Sequence, residues 1–215
     1  MHSLQQAELE VLYVDEFLIA VNKPSGLLSV PGRGDLAHDS VTQRAQQHFA
    51  DTKVVHRLDM ATSGILLFAR GLNAQRALSR QFEQRKVRKE YVAVVDGLMT
   101  DDAGEINAPL IADWPQRPKQ KVDFENGKPS ITHYQVLARD TSQATTRVAL
   151  TPVTGRSHQL RVHLSWMGHP ILGDALYATP AQIKRAPRLL LHARFIEIEH
   201  PSHHEPLALS CEVPF

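Results

Sequence analysis

The sequence predicts an α+β domain built on a mixed, largely antiparallel sheet. Three observations predict it: period-two apolar runs dominate, helical segments are short and interspersed, and most strand connections look antiparallel. A chain of 215 residues can bury a substantial core. No internal repeat and no long Pro/Gly/Ser linker divides it, so residues 9–215 read as one domain behind a polar, flexible end at 1–8.

The elements follow in order. LEVLYVDEFLIAVNKPSG (9–26) reads as a hairpin, with apolar runs on either side of Asp15-Glu16. Gly26, Pro31, Gly32 and Gly34 make residues 23–37 a loop, and SVTQRAQQHFA (40–50) suits a short helix with Asp39 as its N-cap. VVHRLD (54–59) and GILLFAR (64–70) bracket a short loop as strands. AQRALSRQFEQRK (74–86) is helical, with Arg76 and Arg80 on one face. EYVAVVDGL (90–98) returns to strand. Residues 111–128 are Pro-rich, basic and without period, which fits a surface loop or ribbon. ITHYQVLA (131–138) and TTRVALTPV (145–153) alternate as strands do, and RSHQLRVHLSWMG (156–168) predicts a helix of about three turns. A short helix near Ala181 and two strands, LLLHARFIEIEH (189–200) and LALSCEV (207–213), complete the chain.

Composition excludes several classes. No run approaches the roughly 18 apolar residues of a membrane span, and MHSLQQAELE has no apolar signal core. The single cysteine, Cys211, fits a reducing cytoplasm and reads as a packed strand residue rather than a nucleophile. A monomer is expected, because no exposed apolar stripe or heptad suggests a dimer seam. Net charge is only +1, but residues 76–90 hold six basic residues against two acidic ones. Arg117, Lys119 and Lys121 form a second cluster, and Lys184, Arg185 and Arg188 a third. Such patches suit a phosphate backbone, and equally a solvated helix face.

Asp59 stands between two runs that read as buried, so it is either paired structurally with Arg57 or kept for chemistry. If TGRSHQLRVH (154–163) is helical, His158, Arg161, Val162 and Ser165 lie near one face, and Arg161 points inward. A guanidinium cannot shed its charge, so a partly buried one needs a carboxylate or phosphate, and Asp59 is the candidate. A structural ion pair and a reactive site remain open at this level. Twelve histidines invite a metal, yet His158 and His163 lack the HExxH spacing, and His200, His203 and His204 have no cysteine nearby. No metal site is expected. The sequence also lacks a P-loop, a GxGxxG after a strand, a nucleophile elbow and the Asp-Thr-Gly of aspartic proteases.

HRLDMATSG (56–64), Lys89-Glu90-Tyr91, TGRSHQLRVH, HPILGD (169–174) and LLLHA (189–193), after NKPSGLL (22–28), occur in an order that resembles the RluA family of pseudouridine synthases. The likeness runs from about Val11 to the C-terminus. It implies a cofactor-free isomerase with an active-site cleft across the sheet and no S4-type RNA-binding domain. The family's catalytic aspartate falls on Asp59, its arginine on Arg161 and its active-site tyrosine on Tyr91. Asp59 must be ionised to act, and a neighbouring cation favours that form. The ion pair and the chemistry then become one arrangement. Tyr91 would stack on the target uracil or take a sugar proton.

Arg57 would fill the space left by a flipped base. His56 in the same motif and Leu191 beneath the uracil would complete the pocket. Arg76, Arg80 and Lys119 would follow phosphates of a stem-loop, with no obligate protein partner. GLLSVPGR (26–33) and DWPQRPKQKV (113–122) narrow the likeness to members serving both 23S rRNA, at position 746, and tRNA anticodon stem-loops, at position 32. Two other readings compete: a non-catalytic RNA-binding or chaperone module of the same fold, and a carboxylate hydrolase. Retention of Asp59, Tyr91 and Arg161 disfavours the first, and the lack of a paired second carboxylate disfavours the other.

Overall fold

The computed structural model describes residues 9–32 and 39–215. The end expected at 1–8 and the part of the predicted loop holding Gly34 lie outside them. Hairpin β1 (Glu10–Val14) and β2 (Leu18–Lys23) leads into α1 (Val41–His48), β3 (Thr52–Val54), β4 (Ser63–Arg70) and α2 (Gly71–Glu83). The second part holds β5 (Arg88–Asp96), β6 (Ala103–Asn107), β7 (Leu110–Ala112), β8 (Gln120–Val122), β9 (Ile131–Asp140) and β10 (Thr145–Pro152). It closes with α3 (Gln159–Trp166), α4 (Pro180–Ile183), β11 (Leu191–Glu199) and β12 (Pro206–Ser210).

Ten strands form one sheet whose path runs β1-β2-β4-β11-β5-β10-β9-β6, with β12 beside β11 and β3 beside β4. The strands of this sheet pair antiparallel except β4 with β11, where Ser63 faces His192 and Gly64 faces Ala193. The predicted α+β class therefore holds. The expected ribbon is the small β7–β8 sheet. The edge strand β6 was not anticipated, because AGEIN has little of the β-branched and aromatic signal that marks strands.

β4 is buried over nearly its whole length because both of its faces are covered. Ile65, Leu67 and Ala69 join Leu18 and Ala20 of β2 against Ala74 and Leu78 of α2. Leu66 and Phe68 join Ile19 and Val21 against Val41 and Ala45 of α1. Leu58 enters that second cluster from the neighbouring loop. Burying its side chain contributes roughly 2 kcal/mol, and it sends the adjacent Arg57 and Asp59 away from the core.

Four expectations are corrected. Asp39 does not cap α1. Ser40 does, accepting the Gln43 N–H at 3.3 Å, while Asp39 pairs with Arg44. VVHRLD is strand only to Val54, and residues 55–62 are irregular. α3 begins at Gln159 and has about two turns, because His158 sits in left-handed backbone at φ 55° and ψ 16°, which a right-handed helix cannot include. The Gln159 side chain closes the preceding turn by accepting from Thr154 Oγ1 (2.8 Å) and Arg156 N (3.0 Å). Cys211 follows β12 rather than lying in it, and burial pushes its thiol up to about 11. That suits a packed residue better than a nucleophile.

The irregular segment 55–62 is fixed from several sides. Leu58 exchanges backbone bonds with the Ser29 hydroxyl, donating at 3.0 Å and accepting at 2.7 Å. Ser25 Oγ donates to Ala61 O (2.7 Å) and Gly26 N to Met60 O (2.8 Å). Lys23, fully buried, donates to Pro24 O (2.8 Å), Leu27 O (2.7 Å) and Met60 O (2.9 Å). Burial pushes its ammonium down to about 7, opposed by the Asp59 charge and reinforced by Arg188. Three carbonyl acceptors nevertheless require three N–H donors, which only the protonated form has. We therefore take the cage to hold an ammonium. His56 Nε2 accepts the Leu67 N–H at 2.9 Å, tying the segment to β4.

Two predictions follow from this framework. At Gly64 (φ +109°) an added Cβ would lie 2.3 Å from Ala193 O and 2.6 Å from Ala193 N, so Gly64→Ala forces β4 and β11 apart. Urea melts should show a loss of roughly 3 kcal/mol or more; wild-type stability would contradict this packing. The second concerns acid. His56 accepts through Nε2, and His192 Nδ1 lies 2.8 Å from the Ser63 hydroxyl, whose oxygen takes Arg188 Nη1–H (3.0 Å). Burial, then the Lys89 charge, pushes His56 down to about 3; burial, then the Arg188 charge, pushes His192 down to about 4. The unfolded chain binds these protons more readily, near pH 6.5. Their stabilisation is complete above about pH 6.5 and is lost as pH falls through 4. His192→Asn should flatten the stability slope across that window, and an unchanged slope would contradict the assignment.

Candidate active site

The segment 55–59, the start of β5, residues 152–161 and Leu191 wall a cleft of about 570 Å³. Arg57, Arg85, Lys89, Arg156 and Arg161 line it against only two carboxylates, Asp59 and Glu83. Such a basic, concave surface suits an anionic ligand.

Arg161 organises the centre. It is 4% exposed, and its guanidinium grips the fully buried Asp174 as a fork, Nε to Oδ2 at 2.8 Å and Nη2 to Oδ1 at 2.7 Å. Asp174 Oδ1 also accepts from Leu176 N (2.9 Å) and Tyr177 N (3.2 Å), so its charge is well satisfied. Nη1 is left to donate to Asp59 Oδ2 at 3.3 Å. Burial works against the Arg161 cation, but Asp174 and then Asp59 outweigh it and raise its pKa above the ordinary value. The expected Asp59–Arg161 pair is present; its shorter and more buried partner is Asp174, which the sequence reading passed over inside HPILGD.

Asp59 side-chain exposure is 20%, so the carboxylate is open to the cleft. Its other oxygen, Oδ1, lies 3.9 Å from His158 Nε2. Tyr91 of β5 and Leu191 of β11 line the same space, with Leu191 also packed into the core. Burial, then the Asp59 charge, pushes the Tyr91 phenol above its ordinary value. It therefore rests in its neutral form. Arg57 is exposed at the cleft wall. His56 lines the cleft too, but its Nε2 is taken by Leu67 and its ring stacks on Phe82 at 4.7 Å.

The cationic residues distribute differently from expectation. Arg76 and Arg80 lie on the exposed face of α2, opposite its buried Ala74, Leu78 and Gln81, and do not line the cleft. Lys119 lies on the β7–β8 connection and donates to Gln116 Oε1 at 3.3 Å. Arg85 and Lys89 reach the cleft in their place. Reading the sequence missed Lys23, His158, Asp174 and Tyr177. A lysine ending an otherwise apolar strand and an aspartate inside HPILGD were the available signals. Among the described residues no cluster of His, Cys, Asp and Glu could hold a metal ion.

Comparison with known proteins identifies the family. A family model described as RNA pseudouridylate synthase matches residues 17–166. The chain is 53% identical over 205 residues to a Yersinia pestis protein named dual-specificity RNA pseudouridine synthase RluA, covering 95% of this chain and 99% of that one. It is 49% identical over 211 residues to the Escherichia coli K12 protein of that name, covering 98% and 96% respectively. Among solved structures, human RNA pseudouridylate synthase domain containing 1 matches with a TM-score of 0.84 at 28% identity, over 100% of this chain and 87% of that one. The matched region spans the Asp59 loop, Tyr91 and Arg161, and on this evidence the chain belongs to the RNA pseudouridylate synthase family.

Proposed function

We propose that this protein isomerises uridine to pseudouridine in structured RNA, with Asp59 as the reactive carboxylate. The observation that supports this most strongly is Asp59 at the mouth of a basic cleft, held by a guanidinium that Asp174 already fixes. The isomerisation balances without a cofactor. The N1–C1′ bond breaks, the freed uracil rotates, C5 bonds to C1′, and the proton lost from C5 is matched by one gained at N1.

In a glycal route a base takes the C2′ proton as uracil leaves, and returns it when C5 attacks. The neutral phenol of Tyr91 is a poor base at rest. We therefore place that proton on Asp59 and give Tyr91 the stacking role, with Leu191 below the ring. Arg161 stays charged throughout and offers its Nη1–H to whichever charge Asp59 carries.

A uridine in a folded loop must leave its stack first, at a cost of a few kcal/mol. Arg57, exposed at the cleft wall, is placed to fill the gap with its flat guanidinium. Arg85, Lys89 and Arg156 would take neighbouring phosphates, with Arg76, Arg80 and Lys119 as outer contacts. The likeness to relatives named dual-specificity RNA pseudouridine synthases supports two kinds of RNA substrate, which we take to be 23S rRNA at position 746 and tRNA anticodon stem-loops at position 32. We take the enzyme to act as a monomer, since no exposed apolar stripe or heptad in the sequence suggests a dimer seam. No helix among the described residues is long and apolar enough to cross a membrane.

Asp59→Asn should lower single-turnover isomerisation by roughly a thousandfold or more while stem-loop affinity stays near wild type. Normal turnover would remove the reactive role. Arg57→Ala should slow a paired stem-loop more than an unpaired oligonucleotide, and equal losses would argue against the wedge. Asp174→Asn leaves a buried cation half-paired and should cost roughly 3 kcal/mol in urea melts. Mapping pseudouridine in cells with and without the gene tests the substrates: both RNAs should lose a site, and two unchanged RNAs would defeat the dual-target reading.

A further inference from the structure

His158 has no part in the mechanism above, yet the fold invests heavily in its position. It is a non-glycine residue in left-handed backbone, a conformation costing roughly 1 kcal/mol. Its ring is largely buried and reaches the Asp59 oxygen that Arg161 leaves, with Nε2 3.9 Å from Oδ1. Tyr177 holds the ring from behind. Its hydroxyl lies 2.7 Å from His158 Nδ1, and its ring stands edge-on to the imidazole at 5.7 Å.

Hydrogen-bond complementarity favours one tautomer of the imidazole, because Nδ1 is the acceptor for the Tyr177 hydroxyl proton among the described contacts. Tyr177 Oη accepts the backbone N–H of Gln120 at 2.8 Å. That donor approaches one lone pair of the phenol, and the single hydroxyl proton is free to go to His158 Nδ1. Nδ1 is then an acceptor, so the neutral imidazole carries its proton on Nε2, facing Asp59. Burial, together with the charges of Arg161 and Arg57, lowers the His158 pKa, while Asp59 and Asp174 oppose this. A neutral imidazole carrying its proton on Nε2 satisfies these contacts, with the Tyr177 hydroxyl donating to Nδ1. Tyr177 also lies beneath Arg161, whose Cζ is 5.2 Å from the ring centroid. One tyrosine therefore touches both groups that face Asp59.

We propose that His158, set in its Nε2–H tautomer by Tyr177, is a positioning residue that steers Asp59 Oδ1 while Arg161 holds Oδ2. With one oxygen tethered and the other facing an N–H dipole, the carboxylate plane has a preferred orientation towards the sugar. Without His158 the group pivots about its Arg161 contact. If Tyr177 cannot donate, the imidazole can present a lone pair to Oδ1 instead of a proton. Misplacing a reacting group by a fraction of an ångström to an ångström costs roughly tenfold to a hundredfold in rate.

The inference rests on Asp59 being the reactive carboxylate, so Asp59→Asn is assayed alongside. His158→Leu removes the N–H, His158→Gln keeps an N–H of similar reach, and Tyr177→Phe removes only the hydroxyl that sets the tautomer. Single-turnover isomerisation of a stem-loop, its dissociation constant and a urea melt are measured for each. His158→Leu should lose roughly tenfold or more in rate with RNA affinity within about twofold of wild type. His158→Gln should recover most of that rate, and Tyr177→Phe should fall between the two. A His158→Leu rate equal to wild type, a glutamine no better than leucine, or a loss lying wholly in RNA affinity would overturn the proposal. An active Asp59→Asn would instead overturn the underlying assignment of Asp59.

Discussion

The guanidinium of Arg161 is shared between two carboxylates, and the site depends on that sharing. Asp174 is fully buried and takes two of its donor nitrogens in a planar fork, which fixes both position and plane. What remains for Asp59 is a single N–H at 3.3 Å with no freedom to turn elsewhere. A buried pair of this kind contributes little net stability, because desolvation offsets most of the attraction. Its value here is geometric: it turns a flexible side chain into a rigid donor at the floor of a cleft.

The opposite wall is fixed by apolar packing and by side-chain donors to backbone carbonyls, the Lys23 ammonium among them. Leu58 enters the core between two residues that point elsewhere, Arg57 towards the exposed cleft wall and Asp59 towards Arg161. Lys23, Ser25 and Ser29 satisfy carbonyls of residues 58–61 that would otherwise be buried unpaired. An irregular loop can then be as well determined as a strand. The close approach of β4 and β11 at Gly64 places Leu191 and Tyr91 beside that loop, so sheet register and pocket shape are one constraint.

Much of this was legible in the sequence, and the parts that were not share a cause. Alternation and turn residues marked the strands, and HRLD with GRSHQLR marked the Asp59–Arg161 pair across about a hundred residues. Periodicity could not see that His158 leaves helical backbone, since its spacing to Arg161 fits a helix face well. Nor could it rank Asp174 above Asp59 as the partner of Arg161, because burial of a carboxylate is a property of packing. Arg76 and Arg80 show the reverse limit. Their i, i+4 spacing correctly put them on one face, but only the packing of Ala74 and Leu78 shows that the face points away from the cleft. β6 escaped because an edge strand needs few strong strand formers.

The central claim is that Asp174 and Arg161 act on Asp59 as one unit. A double-mutant cycle on single-turnover isomerisation, with Arg161→Lys and Asp174→Asn alone and together, measures it most directly. Lysine keeps the charge but lacks the fork, and asparagine keeps the shape but loses the charge that holds it. The account predicts strong coupling, with the double variant scarcely slower than the worse single one and an interaction of roughly 1 kcal/mol or more. Losses that simply add would contradict it, and would make Asp174 a distant structural residue rather than the support of the reactive carboxylate.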